Sequence, residues 1–281
     1  MFIHHYTNID VLALILKNKT IRFNRLDRVD DKEESVFISK GINLGPYTFV
    51  SCWTETDEES IPMWKMYTNK SWGVRLKIPR DNLFKTYNYD DFEFNGLKAV
   101  SMGGRLEPLF PPEVQFQQSD FTPPFLTPDY EACKFYRKVI YVDNTHELAE
   151  NVIHLPDSHH GAEGPITINF SEVGRYKHKR WAFQEESRFV LNFMPGNPAS
   201  AFNTADFDRE LLLSVQAIKS NKELGFSYYD MQLNPKAFDK LSITLSPLAT
   251  DSQRAIVASL RDKYAPNATI MESNLSGILA K

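Results

Sequence analysis

Apolar positions recur along the chain with spacings that alternate between those of strands and those of helices. Residues 2 to 6 favour a first strand, residues 8 to 18 carry apolar positions on one helical face, and residues 21 to 23 are typical of an extended segment. Further strands are predicted over 47–54, 73–78, 138–142, 186–193, 241–245 and 268–271, and further helices over 62–67, 171–184 and 252–264. The pattern predicts an α+β fold of mixed, mostly antiparallel sheets with peripheral helices.

The chain shows no shift in composition that would divide it, so residues 1 to 281 are predicted to form a single domain. Two segments, near 85–130 and 195–235, are predicted to be variable insertions. The first carries Pro111, Pro112, Pro123, Pro124 and Pro128, which interrupt any long element. It is therefore interpreted as an insertion or a lid.

Composition narrows the function classes only slightly. The formal net charge of -4 gives no general basic field, so nucleic-acid binding driven by net charge is not favoured. The two cysteines, Cys52 and Cys133, lack zinc-ligand spacing and indicate neither a disulfide framework nor a structural zinc site. No apolar run is long enough to cross a bilayer. These features predict a cytoplasmic protein without a membrane contact; the oligomeric state is left open.

The stretch from Trp181 to Arg188 concentrates polar chemistry at the start of a predicted buried strand. If strand alternation extends through it, Gln184, Glu186 and Arg188 share one face. A structural ion pair at a strand start is the alternative, and residue types alone do not decide between the two.

An ordered set of motifs resembles the bacterial domain of unknown function family 2971. The set comprises His5-Tyr6-Thr7, the acidic loop Asp30 to Glu34, Ser51 to Thr54 with Trp64 and Tyr67, Gly73-Val74, Val139 to Tyr141, Trp181 to Arg188, and Ile243 to Pro247. The chain departs from the family twice: it has Asp30-Asp31-Lys32-Glu33-Glu34 where the family reads Asn-Asp-Pro-x-Glu, and Gln184-x-Glu186 where the family reads Glu-x-Glu.

The order of these elements also resembles, remotely, that of ADP-ribosyltransferases. The resemblance implies an ADP-ribosyltransferase-like core that binds NAD, with a role in bacterial defence or toxin biology. It implies Glu186 and Gln184 as catalytic residues, and it assigns the nucleotide to His5, Tyr6, Thr7, Arg22, Ser51, Trp53, Tyr67 and Arg188. In this scheme His5 contacts a ribose, and Trp53 or Tyr67 stacks on nicotinamide. Arg22 and Arg75, each on a predicted strand between apolar neighbours, are candidates for contact with the pyrophosphate, with surface salt bridges as the alternative.

Chemistry explains why a carboxylate is expected at position 186. Cleavage of the nicotinamide glycosidic bond develops positive charge on the ribose, and a fixed carboxylate stabilises that transition state. Gln184 would then orient the acceptor. Each residue also has a structural alternative: Thr7 as a helix N-cap, and the aromatic residues as core.

A basic cluster could contact a nucleic-acid or protein acceptor through Arg175, Lys177, Lys179 and Arg180, although a solvated helix face is the alternative. Two other functions stay open. One is a metal-dependent nuclease that uses Asp30, Asp31, Glu34 and Glu186 around Mg²⁺, and the other is a binding protein without chemistry. His154, His159 and His160 lack partners at ligand spacing, so no metal site is predicted from histidine.

Overall fold

The computed structural model describes residues 1–35, 38–98, 107–117, 119–145, 152–154 and 167–279. Numbered along the chain, the strands are β1 (Phe2–Asn8), β2 (Thr20–Arg25), β3 (Ile38–Ser39), β4 (Ile42–Asn43), β5 (Thr48–Thr54), β6 (Gly73–Pro79), β7 (Glu93–Phe94), β8 (Leu97–Lys98), β9 (Phe121–Thr122), β10 (Tyr136–Lys138), β11 (Ile140–Val142), β12 (Ile153–His154), β13 (Thr167–Ile168), β14 (Tyr176–His178), β15 (Glu186–Asn192), β16 (Met194–Pro195), β17 (Tyr228–Gln232), β18 (Ser242–Leu245) and β19 (Thr269–Met271). The α-helices are α1 (Ile9–Asn18), α2 (Lys32–Ser35), α3 (Ile61–Tyr67), α4 (Pro112–Phe116), α5 (Phe207–Lys219) and α6 (Asp251–Tyr264).

One large sheet organises the fold. Its strands follow the order β10, β15, β5, β1, β6, β18 and β19, while β2 pairs with β5 and carries β17 on its other side. All of these pairs are antiparallel except the parallel pair of β18 and β19. The predicted α+β class with a mixed, mostly antiparallel sheet is confirmed.

Aromatic side chains of the large sheet pack in the core against aromatic side chains of residues 84–135. Phe189 of β15 lies at the centre, with ring centroids 4.8 Å from Phe84, 5.1 Å from Phe135 and 5.7 Å from Tyr130. Perpendicular and tilted arrangements of this kind add stability beyond the apolar area that they bury. Because β15 carries both Phe189 and Glu186, the aromatic core fixes the strand that supplies the site.

The first helix shows why the chain turns where it does. Asn8 has an extended backbone and its Oδ1 accepts a hydrogen bond from Val11 N at 2.8 Å, so Asn8 is the N-cap of α1. The prediction that Thr7 caps this helix is wrong, because β1 continues one residue further and Thr7 pairs with Val74. Lys19 then ends α1 in the left-handed conformation.

Two predicted elements differ from the structure. Residues 171–184 form the short strand β14 and a 3₁₀ turn from Lys179 to Gln184, where a helix was expected, because β14 pairs in parallel with β11. The predicted strand 138–142 is divided at Val139: β10 pairs with β15, whereas β11 pairs with β14. The polar residues of 171–184, which predict the exposed face of a helix, lie instead on strand β14 and on the 3₁₀ turn that follows it.

The two predicted insertions take part in the fold. The segment 85–130 contributes buried Tyr89, Leu109 and Phe110, and the segment 195–235 supplies α5 and β17. Strand β17 pairs with β2 over five residues and so extends the large sheet. Their variability among relatives stays a prediction.

Candidate functional site

The large sheet splits beside β5, and the candidate site lies at this split. Among the described residues, β1 pairs with β5 at His4 and Thr54, while β2 pairs with the opposite end of the same edge at Val50 and Phe49. Between these points, the edge of β5 faces a gap. Cys52 O accepts a hydrogen bond from His5 Nδ1 at 2.9 Å, so a side chain replaces the missing strand partner there.

A cavity of about 260 Å³ fills the gap. Strands β1, β2, β5 and β15, helix α3 and the turn after β2 all contribute to its wall. The lining residues are His4, His5, Tyr6, Arg22, Asn24, Arg28, Val29, Asp30, Asp31, Val50, Ser51, Cys52, Trp53, Met63, Tyr67, Lys177, Trp181, Gln184, Glu186 and Arg188.

Nearly all of the predicted site residues meet in this cavity. The set that lines it is Gln184, Glu186, His5, Tyr6, Arg22, Ser51, Trp53, Tyr67 and Arg188. Thr7 is the exception: it lies in β1, is 7% exposed and is not part of the wall. Within the described part of the segment 85–130, no residue reaches the cavity, so the structure gives no support to the interpretation of this segment as a lid.

A buried group of alternating charges forms the floor of the cavity. The Arg188 guanidinium contacts both oxygens of Glu186, through Nε at 2.5 Å and Nη2 at 3.0 Å, and it also pairs with Glu34 through Nη1 and Nη2. Lys177 Nζ lies 3.2 Å from Glu186 and 3.6 Å from Glu34. We call Glu34, Lys177, Glu186 and Arg188 the buried ion cluster. Its two acids and two bases leave no net charge.

The buried ion cluster fixes the ionisation of the groups in it. Burial alone would raise the pKa of Glu186, but Arg188 and Lys177 outweigh it and hold the pKa below its usual range. Burial lowers the pKa of Arg188, whereas Glu186 and Glu34 raise it well above the usual value. Glu186 is therefore a carboxylate at neutral pH. Burial and the charge of Glu186 raise the pKa of Cys52, so its thiol is protonated and is not an activated nucleophile.

Gln184 connects this cluster to helix α3. Its Oε1 accepts from Lys177 Nζ at 2.7 Å, and its Nε2 donates to the Tyr67 hydroxyl at 2.5 Å. Burial, together with the charges of Asp30 and Glu186, raises the pKa of Tyr67, so the phenol keeps its proton. Gln184 thus positions a cation and a phenol at the same wall.

A sharp turn brings Gln184 to the same side as Glu186. Glu185 has a left-handed backbone with φ of 43°, and its carbonyl accepts from Thr54 Oγ1 at 3.0 Å. Strand β15 begins only at Glu186, so the predicted alternation does not place Gln184. Gln184 therefore lies on the same side as Glu186, as predicted, but the turn at Glu185 places it there and strand alternation does not.

Two buried polar side chains in the wall have unused hydrogen-bonding capacity. His4 is 1% exposed, and neither ring nitrogen makes a hydrogen bond, although Nε2 lies 3.1 Å from Asp57 Oδ1. Burial, Arg75 and Lys77 lower the pKa of His4 to about 4, so the ring is neutral at pH 7. The Oδ2 atom of buried Asp31 also lacks a partner. Such groups are unfavourable unless a ligand or water satisfies them.

The aromatic residues of the wall are held in place by polar contacts. Trp53 Nε1 donates to Ser51 Oγ at 3.0 Å, and the ring lies 5.0 Å from that of His5. Trp181 lies under the Lys177 ammonium at 4.9 Å. Burial lowers the pKa of His5, so this ring is also neutral. The wall therefore offers fixed aromatic surfaces beside uncharged imidazoles.

Two arginines at the cavity differ in whether they pair with an acidic side chain. Arg22 makes two hydrogen bonds to Asp230, at 2.8 and 2.9 Å, and lies 3.7 Å over the Tyr228 ring. Arg28 is exposed at the cavity wall, and the structure shows no ion pair for it among the described residues. Arg28 is the cation that is free to meet an anionic group of a ligand.

The predicted basic patch does not form one open surface. Lys177 is 6% exposed and belongs to the buried ion cluster. The other three pair with acids: Arg175 with Glu172 at 2.9 Å, Lys179 with Asp143 at 2.6 Å, and Arg180 with Glu33 at 3.2 Å. An acceptor that binds through these residues stays a prediction.

Two of the four acidic residues of the nuclease alternative pair with cations of the protein itself. Glu34 and Glu186 flank Arg188, and Asp31 Oδ1 accepts from Glu33 N at 3.0 Å. Among the described residues there is no group of three or more His, Cys, Asp and Glu side chains arranged to hold a metal ion.

Sequence reasoning missed several residues of the wall, above all His4, Arg28 and Lys177. His4 directly precedes His5 of the first motif. Two adjacent histidines in a predicted strand are a signal that could have indicated a site residue at position 4. Arg28 lies in a turn after β2, where no periodicity marks it. Lys177 was grouped with a solvated face because its strand was interpreted as a helix.

Comparison with protein-family models, curated proteins and solved structures gives no match for this chain. The resemblance to domain of unknown function family 2971 and to ADP-ribosyltransferases therefore stays a prediction. No helix within the described ranges has both the length and the apolar character needed to span a membrane.

Proposed function

We propose that the chain is an ADP-ribosyltransferase-like protein that binds NAD in the cavity at the split of the sheet. The observation that carries the proposal is the convergence of nine predicted site residues, from six separate elements, on one cavity. Glu186 stands at the start of its strand inside this wall, as the transferase resemblance requires.

The chemistry of the wall fits the nucleoside half of such a ligand. Trp53 and Tyr67 provide aromatic surfaces for a nicotinamide ring, and the unsatisfied Oδ2 of Asp31 can accept from a ribose hydroxyl. A cavity of about 260 Å³ lies near the lower end of the size range of ligand sites. It would therefore take the nicotinamide ribose, and the pyrophosphate would lie outside it beside exposed Arg28 and Arg22.

Glu186 would act on the ribose by charge. As the glycosidic bond to nicotinamide breaks, positive charge develops on the sugar, and a fixed carboxylate favours that state over the ground state. Arg188 holds both oxygens of Glu186 and so sets their orientation. Lys177 makes the longer contact, at 3.2 Å, and Gln184 holds it there. Displacement of Lys177 by a ribose hydroxyl would leave Glu186 with more effective negative charge.

A binding protein without chemistry is the second candidate, and one observation favours it. Both oxygens of Glu186 are already paired, and cations this close offset the field that would stabilise a sugar cation. The same cavity would then bind NAD without cleaving it.

Two measurements on the purified chain test the proposal: melting temperature with and without 2 mM NAD, and release of nicotinamide from NAD. We expect NAD to raise the melting temperature by a few degrees, as ligand binding to the folded state requires. Glu186→Gln should lower nicotinamide release by roughly a hundredfold or more. Glu272→Gln, at an exposed pair with Arg254, is the control and should match the wild type.

Each result has a distinct meaning. The absence of any shift at 2 mM NAD would overturn NAD binding. A shift without nicotinamide release would support the binding protein and remove cleavage of NAD with water as the acceptor of ADP-ribose. Unchanged release in Glu186→Gln would remove Glu186 from the reaction.

A further inference from the structure

A second cavity, of about 600 Å³, lies apart from the residues of the proposed NAD site. The two segments predicted as insertions build most of it, together with the end of β15. Its lining residues are Tyr89, Phe92, Phe94, Leu97, Gln115, Phe116, Thr122, Pro123, Pro124, Phe125, Phe170, Asn192, Met194, Pro198, Ala199, Phe202, Phe207 and Leu211. We call it the apolar cavity.

The lining of the apolar cavity carries no charge among the described residues. Three phenylalanine rings form one wall: Phe94 lies 4.8 Å and Phe92 lies 5.5 Å from Phe116, both in stacked geometry. Helix α5 contributes Phe207 and Leu211 to the lining. An anionic group that lay inside the cavity would be buried without a counterion among the described residues, which is strongly unfavourable. The part of the occupant that lies inside the cavity is therefore expected to be uncharged.

One polar atom points to a specific feature of that occupant. Gln115 is 4% exposed, and its Oε1 is buried without a hydrogen-bond partner. Its Nε2 donates to Pro123 O at 3.2 Å, so the oxygen is the end of the amide that lacks a partner. A carbonyl oxygen accepts only from a donor, so the occupant should carry an O–H or N–H group.

The mouth of the apolar cavity is also apolar. Phe125, Phe202 and Leu211 line it and are 47%, 37% and 37% exposed. Large side chains of this type exposed around a concave surface mark binding sites. We infer that this cavity binds an uncharged, largely apolar small molecule that donates one hydrogen bond to Gln115 Oε1.

Three related probes test the inference on the full chain by ligand-observed NMR titration. Indole has one N–H donor, 1-methylindole lacks it and is slightly more apolar, and indole-3-carboxylate carries a charge. The wild type should bind indole roughly fivefold more tightly than 1-methylindole, the size of one net hydrogen bond. It should show no binding of indole-3-carboxylate at 1 mM. Equal affinities for the three probes, or no binding of indole at 5 mM, would overturn the inference.

Two variants locate the probes. Ala199→Phe places a ring inside the apolar cavity and should weaken indole at least tenfold, whereas Met63→Trp, in the NAD site, should leave indole binding unchanged. Gln115→Met removes the acceptor at similar volume and should reverse the preference, so that 1-methylindole binds more tightly. Indole binding that survives Ala199→Phe would contradict the assignment, and so would a preference for indole that survives Gln115→Met. These results do not depend on NAD binding.

Discussion

The two cavities of this protein differ in how they treat polar groups. At the split of the sheet, Glu34, Lys177, Glu186 and Arg188 are buried together and satisfy one another. In the apolar cavity, aromatic rings pack without charge and one amide oxygen stays unsatisfied. The first arrangement is interdependent, because each ion needs its partners. The second depends on shape, and removal of one of its rings leaves no buried charge without a partner.

Removal of one charged side chain from the buried ion cluster should cause the largest loss of stability. Arg188→Met would leave Glu34 and Glu186 buried without their main counterion, and we expect a loss of about 3–5 kcal/mol in the free energy of unfolding. Urea denaturation measures it. Arg254→Met removes an exposed arginine from its pair with Glu272 and should cost less than about 1 kcal/mol.

A second outcome separates pairing from simple packing at this position. Glu34→Gln, added to Arg188→Met, leaves Glu186 paired with Lys177 and gives the cluster no net charge, so it should recover part of the loss. Failure of this double variant to recover any stability would contradict an electrostatic origin.

His4 should make the polar region sensitive to pH. Burial lowers the pKa of folded His4 to about 4, whereas an unfolded histidine titrates near 6.5. Because the folded pKa is the lower one, the stability from neutral His4 is complete above pH 6.5 and is lost as the pH falls from 6.5 to 4. Between pH 7.5 and pH 5 the wild type should lose about 2 kcal/mol more than His4→Gln. Urea denaturation at both pH values tests this, and parallel losses would refute it.

A substitution in the apolar cavity should lower the free energy of unfolding by less than Arg188→Met does. Phe116→Ala removes a half-buried ring that already faces a cavity, so fewer contacts are lost than at a fully packed position. We expect about 1–2 kcal/mol, compared with about 3–5 kcal/mol for a fully buried phenylalanine. Chemical denaturation of this variant measures the difference. A loss above that of Arg188→Met would reverse the comparison between the regions.

The sequence predicted the elements of the sheet well where apolar alternation was regular. Strands β5, β6 and β18 lie within a residue or two of their predicted bounds, since each has a buried face that sets its period. The approach failed for residues 171–184, where Lys177 occupies a buried strand position. A lysine there signals a solvated face unless the acids that neutralise it are known, and Glu34 and Glu186 are distant in sequence.

The sequence predicted most of the residues that line the candidate site, but it did not predict the contacts among them. Motif order placed Glu186, His5 and Tyr67 on one wall, and the structure brings them there. It did not indicate that Arg188 contacts Glu34 as well as Glu186, since Glu34 lies on helix α2, which is distant from β15 in sequence. The apolar cavity was missed because its aromatic residues lie in short elements without a period.

The most direct test of the account is a calorimetric titration of NAD into the wild type, Met63→Trp and Ala199→Phe. Met63 lines the cavity at the split of the sheet, and Ala199 lines the apolar cavity. The account predicts that Met63→Trp weakens NAD at least tenfold and that Ala199→Phe binds NAD as the wild type does. Unchanged NAD affinity in Met63→Trp, or a loss confined to Ala199→Phe, would contradict the assignment of NAD to the split in the sheet.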